Sequence, residues 1–251
     1  NRRLKGNAMK QDFYEILSNE QIAPSVFKMV LSGDTSPITA PGQFVNIKIP
    51  ELYLRRPISI CDRDDRTLTV IYKVVGAGTE ALSRMKNGEK LDLLISLGNG
   101  FDTEPSGTRP ILIGGGVGVP PLYGLCKKLI TEGKTVSVIL GFNTKNEIFY
   151  EKEFRDLGAL VAVTTVDGSY GLKGFVTDAL KNADYTYFYT CGPKPMLKAV
   201  DAVAKTDGQF SFGERMGCGT GACMGCTCKT KNGPKRICTG GPVLLREEIE
   251  W

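Results

Sequence analysis

Residues 109–133, RPILIGGGVGVPPLYGLCKKLITEG, read as an apolar strand, a glycine-rich turn and a stretch whose apolar residues recur at three and four, the period of a helix. Pro120 and Pro121 suit the first helical turn, where a backbone N–H would have no partner anyway. Further units follow: TVSVILGFN, a helical EKEFRDLG, LVAVTTVDG, GFVTDALKN, YTYFYTCG and KPMLKAVDAVAK. Alternating strand and helix predicts a Rossmann-like parallel sheet, with its ligand crevice beyond the carboxyl ends of the strands. Two turns fall there. Gly114, Gly115, Gly116 and Gly118 leave the first strand, and Cys191, Gly192 and Pro193 leave a later one ahead of a helix carrying Met196. Backbone N–H groups at the first turn would face a dinucleotide pyrophosphate. The spacing is not G-x-G-x-x-G, because prolines follow soon after the last glycine, and a plain strand-to-helix connection also reads these residues.

Upstream the period changes. The first ~100 residues hold DFYEILSN, SVFKMVLSG, GQFVNIKIP, RPISICD and RTLTVIYKVV, apolar or alternating at strand length and separated by Pro, Gly, Asp and Asn. TEALSRMKNG is helix-like, and LDLLISLGNGF returns to the sheet. Short strands with such regular punctuation predict a closed antiparallel barrel. On it lie Arg55-Arg56-Pro57-Ile58-Ser59-Ile60, then Ile71-Tyr72-Lys73, then Gly76-Ala77-Gly78-Thr79. An arginine offers a pyrophosphate a bidentate charge-assisted contact, a Gly-Thr turn that opens a helix adds N–H groups, and a serine hydroxyl can hydrogen-bond a flavin ring. Each signal alone also fits a purely structural turn or strand start. Their order and spacing carry more weight.

Downstream, residues 215–238 read RMGCGTGACMGCTCKTKNGPKRIC. Cys218, Cys223 and Cys226 follow C-x4-C-x2-C, and Cys238 stands alone further on, so four thiolates are available to the two irons of a [2Fe-2S] cluster. Glycines between them let the backbone turn tightly and aim N–H groups at sulfur. A four-thiolate zinc site remains the competing reading. Zinc knuckles usually offer two separate C-x2-C pairs, whereas here three thiols share one turn. Cys228 breaks the register and reads as a neighbour. Lys229, Lys231, Lys235 and Arg236 are either tuning charges or ordinary surface charges.

Composition bounds the remainder. The 251 residues suffice for two ordinary domains and a small third piece, and 41% hydrophobic with 24% charged residues is a soluble globular profile. A net charge of +5 without a basic block gives no argument for nucleic acid. No apolar run approaches the ~20 residues that span a bilayer, and NRRLKGNAMKQ lacks a secretory apolar stretch, so no membrane and a cytoplasmic location are expected. Residues 1–8 read as a leader without an assigned role. Eight cysteines without an export signal point to metal or redox chemistry, and the absence of histidine excludes Ser-His triads and Rieske clusters.

The order RPIS, IYK, GAGT, GNGF, IGGGVGVPPL and CGP resembles the ferredoxin-NADP+ reductase superfamily. With the RMGCGTGACMGCTC…C segment, the chain is similar to the electron-transfer subunits of class 1B dihydroorotate dehydrogenases. The resemblance implies three units: an FAD-binding β-barrel over 9–104, an NAD-binding α/β domain over 105–208 and a [2Fe-2S] domain over 209–251. It implies FAD contacts at Arg56, Pro57, Ile58, Ser59, Ile71, Tyr72, Lys73, Gly78 and Thr79. NAD is then expected at the 114–118 and 191–193 turns, and cluster ligation by Cys218, Cys223, Cys226 and Cys238. It further implies a relay from the FMN of a dihydroorotate-oxidising partner through cluster and FAD to NAD+, in a heterotetramer of two copies of each subunit. Because such modules are reused, an NAD(P)H-dependent reductase serving another oxidoreductase or a ferredoxin is the alternative, and a zinc-binding interaction module is a third reading.

Overall fold

The computed structural model describes residues 9–251, so the leader expected over residues 1–8 lies outside it. Six strands close the first unit: β1 (Lys10–Ala23), β2 (Val26–Ser32), β3 (Phe44–Ile47), β4 (Arg56–Arg63), β5 (Thr67–Lys73) and, after helix α1 (Ala77–Ser83), β6 (Lys90–Leu97). Their order is β1-β2-β5-β4-β3-β6, and each adjacent pair is antiparallel. In β6, Leu91, Leu93, Ile95 and Leu97 are buried while the residues between them reach solvent, the period-two pattern of a half-buried strand. Tyr14, Met29, Leu31, Val45, Ile47 and Val70 fill the barrel. Closure removes the unpaired edges that an open sheet would expose.

The closure has a gap. β4 and β5 pair from Arg63↔Leu68 to Ile60↔Val70 and no further. Beyond that point Arg56 to Ser59 stay paired with β3, and Ile71 to Lys73 stay paired with β2. The seam therefore splays where RPIS and IYK face each other.

The second unit is a sheet of β7 (Pro110–Gly115), β8 (Ser137–Phe142), β9 (Leu160–Thr165), β10 (Leu172–Lys173), β11 (Tyr187–Cys191) and β12 (Gly208–Ser211). Between these strands lie helices α2 (Pro120–Thr131), α3 (Glu151–Asp156), α4 (Val176–Leu180) and α5 (Lys194–Val203). A small hairpin, β13 (Thr227–Cys228) with β14 (Lys235–Arg236), leads through α6 (Ile237–Gly240) to β15 (Val243–Leu245). The order is β10-β9-β8-β7-β11-β12-β15, parallel except for β15. Because β7 lies between β8 and β11, the strand order reverses beside it, which is where open α/β sheets bind ligands.

The cut expected at 208/209 does not match the sheet. β12 extends to Ser211, and the tail returns antiparallel to it as β15, with the Phe212 N–H donating to the Pro242 carbonyl at 2.9 Å. Burial of the whole of β12 and of Val243 and Leu244 keeps both segments in the sheet. The third unit is therefore tied into the sheet at both of its ends.

Two places stand out among those where the barrel meets the sheet. Helix α2 lies so close to β4 that a Cβ on Gly124 would stand 3.0 Å from the Cys61 carbonyl, and Lys127 reaches Asp62 at 3.1 Å. The GNGF turn supplies the other: Asn99 donates from its N–H to the Gly241 carbonyl (2.8 Å), donates from Nδ2 to the Val243 carbonyl (2.7 Å), and accepts the Val243 N–H (3.1 Å).

Candidate functional site

The splayed seam separates the roles of its two arginines. Arg55 makes a bidentate pair with Asp92 (both 2.9 Å) and is tied into the barrel. Arg56 meets only the carbonyls of Leu54 and Arg55 among the described residues, so its charge is free for an anion. Its guanidinium lies on the GAGT turn, where a Cβ on Gly78 would come within 2.0 Å of Nε. The Thr79 hydroxyl accepts the Val75 N–H (2.9 Å) and donates to the Gly76 carbonyl (3.1 Å), so it shapes the turn. A Cβ on Gly76 meets nothing within 4 Å, and the turn faces open space. A cation, an open turn and two strand lips without a mutual ladder suit a flat, phosphate-bearing cofactor such as FAD.

Tyr72, expected among the flavin contacts, points its ring into the barrel. It stacks on Phe27 at 5.9 Å, and its hydroxyl donates to Asn19 (2.9 Å), which leaves only the strand backbone for the seam. Ile71 is buried against α2 and the sheet core. Pro57, Ile58 and Ser59 remain partly exposed on the opposite lip, and Lys73 is exposed at the end of β5.

The two nucleotide turns touch each other. Gly114 and Cys191 are register partners in β7 and β11. A Cβ on Gly118 would stand 2.2 Å from the Cys191 carbonyl oxygen, and Cβ atoms on Gly115 and Gly192 would both strike Met196 at 2.5 Å. These glycines are required by close packing. Gly116 meets nothing within 4 Å, so the turn presents bare backbone to the crevice beside Pro193. Cys191 is buried with its thiol against Ser211, and burial pushes that thiol up to about 11, which keeps it neutral.

The cysteines of the third unit form two pairs. The Cys218 and Cys223 N–H groups each face the other's sulfur at 3.5 and 3.4 Å, and the Thr220 and Gly225 N–H groups join them at 3.4 and 3.5 Å. The Cys238 N–H donates to the Cys226 sulfur at 3.4 Å. The first pair stands near the surface, while Cys226 and Cys238 are buried with Phe44, Ile237 and Phe210. The backbone N–H of Cys223 pulls the Cys218 thiol down to about 6, while burial raises that of Cys238. Among the described residues no three metal-ligating side chains converge on a single ion. Two thiol pairs, each held by N–H···S contacts, suit a cluster with two irons.

The fifth thiol and the basic residues take structural places. Cys228 lies opposite Lys235 in the β13–β14 hairpin. Lys235 pairs with Glu248, Arg236 donates to the Gly221 carbonyl, and Lys229 and Lys231 are exposed. The tail, for which the sequence suggested no contact, clasps its own chain. Arg246 and Trp251 donate to the two carboxylate oxygens of Asp201 at 2.8 and 2.7 Å, and the Trp251 ring meets Phe210 and Phe212.

One residue that sequence reasoning missed joins the thiols to the barrel. Asn46 on β3 donates from Nδ2 to the Cys218 carbonyl at 3.0 Å, and its own register partner on β4 is Pro57 of RPIS. The available signal was a lone amide inside the apolar run FVNI.

Comparisons with known proteins agree with this layout. Residues 213–250 match the iron-sulfur cluster binding domain of dihydroorotate dehydrogenase B, and residues 112–202 match the oxidoreductase NAD-binding domain. The chain is 43% identical over 255 residues to the dihydroorotate dehydrogenase B (NAD(+)) electron transfer subunit of Geobacillus sp. (strain WCH70), covering 96% of this chain and 99% of that one. The Fusobacterium nucleatum subsp. nucleatum subunit of the same name is also 43% identical, over 258 residues with the same coverage. Among solved structures, a chain of the NADH-dependent reduced ferredoxin-NADP oxidoreductase superposes with a TM-score of 0.86 at 32% identity, over 95% of this chain and 90% of that one. The Amycolatopsis cytochrome P450 reductase GcoB, at 21% identity and a TM-score of 0.70 over 78% and 66% of the two chains, shares the fold. The splayed seam, the glycine crevice and the paired thiols fit this layout, and identity at this level along nearly the whole chain means that the protein belongs to the dihydroorotate dehydrogenase B electron transfer subunit family.

Proposed function

We propose that this chain carries electrons between a dihydroorotate-oxidising partner and NAD+ in pyrimidine biosynthesis, with FAD at the seam, NAD at the glycine crevice and a [2Fe-2S] cluster on the four thiols. The observation that carries this reading is the contiguity of the sites: Asn46 links the Cys218 loop to the strand pair bearing RPIS, and α2 links that barrel to the nucleotide turns. When bound, the flavin exchanges two-electron hydride chemistry for the one-electron chemistry of the cluster.

The chain's residues divide the work. Arg56 and the turn at Gly78 and Thr79 would hold the pyrophosphate, and Pro57, Ile58 and Ser59 with the backbone of Ile71, Tyr72 and Lys73 would bind the flavin at the seam. Gly114, Gly115, Gly116 and Gly118 bring backbone to the nucleotide, beside Cys191, Gly192 and Pro193. Cys218 and Cys223 would hold one iron of the cluster, nearer the surface, and Cys226 and Cys238 the other. Functional units are best drawn at 9–104, 105–208 and 209–251, with β12 and β15 as the strands that anchor the last to the sheet. The names of the relatives, electron transfer subunits, support a catalytic partner subunit; an FMN on that partner, an assembly of two copies of each subunit and a cytoplasmic location are parts of the same proposal. No helix among the described residues is long and apolar enough to cross a membrane.

Replacing Cys223 by Ala is expected to abolish reduction of NAD+ by dihydroorotate in the assembled complex while NADH oxidation with artificial acceptors continues. Full coupled activity in that variant would defeat the relay. The likeness to the NADH-dependent ferredoxin-NADP oxidoreductase chain favours a second reading, a reductase serving a different partner. The chain purified with its co-expressed neighbours separates the two. Two irons, one FAD, FMN brought by a second subunit and bleaching by dihydroorotate support the first reading, and bleaching by NADH alone supports the second.

A further inference from the structure

On β3 the side chains alternate between two environments. Val45 and Ile47 enter the barrel core, while Phe44 and Asn46 face outward beneath the thiol-bearing unit. Asn46 is 1% exposed, and its register partners are Pro57 on β4 and Leu94 on β6. Its Nδ2 donates to the Cys218 carbonyl at 3.0 Å, the hydrogen bond that ties residues 218–226 to the barrel among the described residues. Gly219 rests on the same amide, since a Cβ there would stand 2.4 Å from Nδ2. The other amide atom, Oδ1, is buried without a partner among the described residues.

That imbalance is informative. A buried acceptor without a donor destabilises the fold, and an apolar side chain of the same size would avoid it. The amide is therefore held for what its N–H does: it fixes the position of Cys218. The N–H groups that face the Cys218 and Cys223 sulfurs belong to the loop itself, and they set its shape but not its place on the barrel.

We infer that Asn46 is a positioning residue for electron transfer: its amide sets the distance between the outer thiol pair and the RPIS lip of the flavin seam. This rests on the relay proposed above. Electron tunnelling falls exponentially with distance, so a small shift of Cys218 alters the rate without altering either binding site. Asn46 itself touches neither reacting group.

The test uses the full chain loaded with FAD and cluster, and the substitutions Asn46→Leu and Asn46→Asp. Leucine keeps the bulk and removes the donor. Aspartate keeps the shape and sets an oxygen against the Cys218 carbonyl. After rapid mixing with NADH, flavin bleaching is followed optically and cluster reduction by freeze-quench paramagnetic resonance. Both variants are expected to keep iron and FAD, to shift the resonance lines of the reduced cluster, and to slow cluster reduction relative to flavin bleaching severalfold. An unchanged ratio of the two rates in both variants would overturn the inference. So would loss of iron from both, since Asn46 would then only hold the loop together. Absence of cluster reduction by NADH in the unsubstituted chain is a different failure, and it defeats the relay.

Discussion

The glycine turn at 114–118 and the thiol loop at 218–226 are both rich in glycine, with a different balance of space and conformation at Gly118 and at Gly219. At Gly118 the demand is for space, because the Cys191 carbonyl lies 2.2 Å from where a Cβ would sit. At Gly219 it is also for conformation, because φ is +72° and the chain must reverse to bring N–H groups to sulfur. The first turn is part of a packed sheet, so its shape is held by neighbours. The second is held by four thiols, a few N–H···S contacts and Asn46. Glycine content alone therefore does not say whether a loop is rigid before its ligand arrives.

Substitutions can break or sharpen this contrast. The largest effect is expected from Cys226→Ser, which removes a buried thiol from the inner pair. Iron should fall well below two per chain, and dihydroorotate-dependent NAD+ reduction should vanish, while the barrel and sheet stay folded by circular dichroism. A variant that kept its full iron would remove Cys226 from the ligand set. Next comes Gly118→Ala, which drives a methyl group into the Cys191 carbonyl. A loss of about 1–3 kcal/mol in global stability is expected for such overpacking, with a raised KM for NADH. An unchanged thermal midpoint would mean that the two turns are not packed as described.

Gly219→Ala should behave differently. A left-handed alanine costs roughly 1–2 kcal/mol, but the strain is local, so partial loss of iron with little change in the global midpoint is expected. If the whole protein were destabilised as much as by Gly118→Ala, the distinction between the turns would fail. The smallest effect belongs to Cys228→Ser. Its side chain lies in the hairpin and not in either thiol pair, so iron content should be unchanged and stability altered by about 0.5 kcal/mol or less. Loss of iron there would make Cys228 a ligand.

Much of this was legible in the sequence because it is local. Alternation in LDLLISL gave β6, the GGGVGVPP turn gave the end of β7 and the start of α2, and C-x4-C-x2-C marked the thiol loop. What escaped depends on contacts between distant segments. Neither VLL nor GQFS announces that the two strands pair across the cluster unit. The role of Asn46 depends on Cys218 coming to lie over β3, and no pattern within GQFVNIKIP states that. Tyr72 shows the reverse case: its place in IYK suggested a side chain at the ligand, whereas its position in the pleat turns the ring into the barrel core and leaves the backbone at the seam. The gap between β4 and β5 was also invisible, since it arises from where two ladders stop.

The pairing of β12 with β15 bears on how the protein is assembled. Residues 213–241 leave and re-enter the sheet at one closed base, where Phe212 bonds to Pro242 and Asn99 secures Val243. An excursion pinned at both feet has its loop-closure entropy met by the sheet, whatever the thiols hold. The body is therefore expected to fold whether or not iron is bound, so that circular dichroism of the chain prepared without iron should show the barrel and sheet intact.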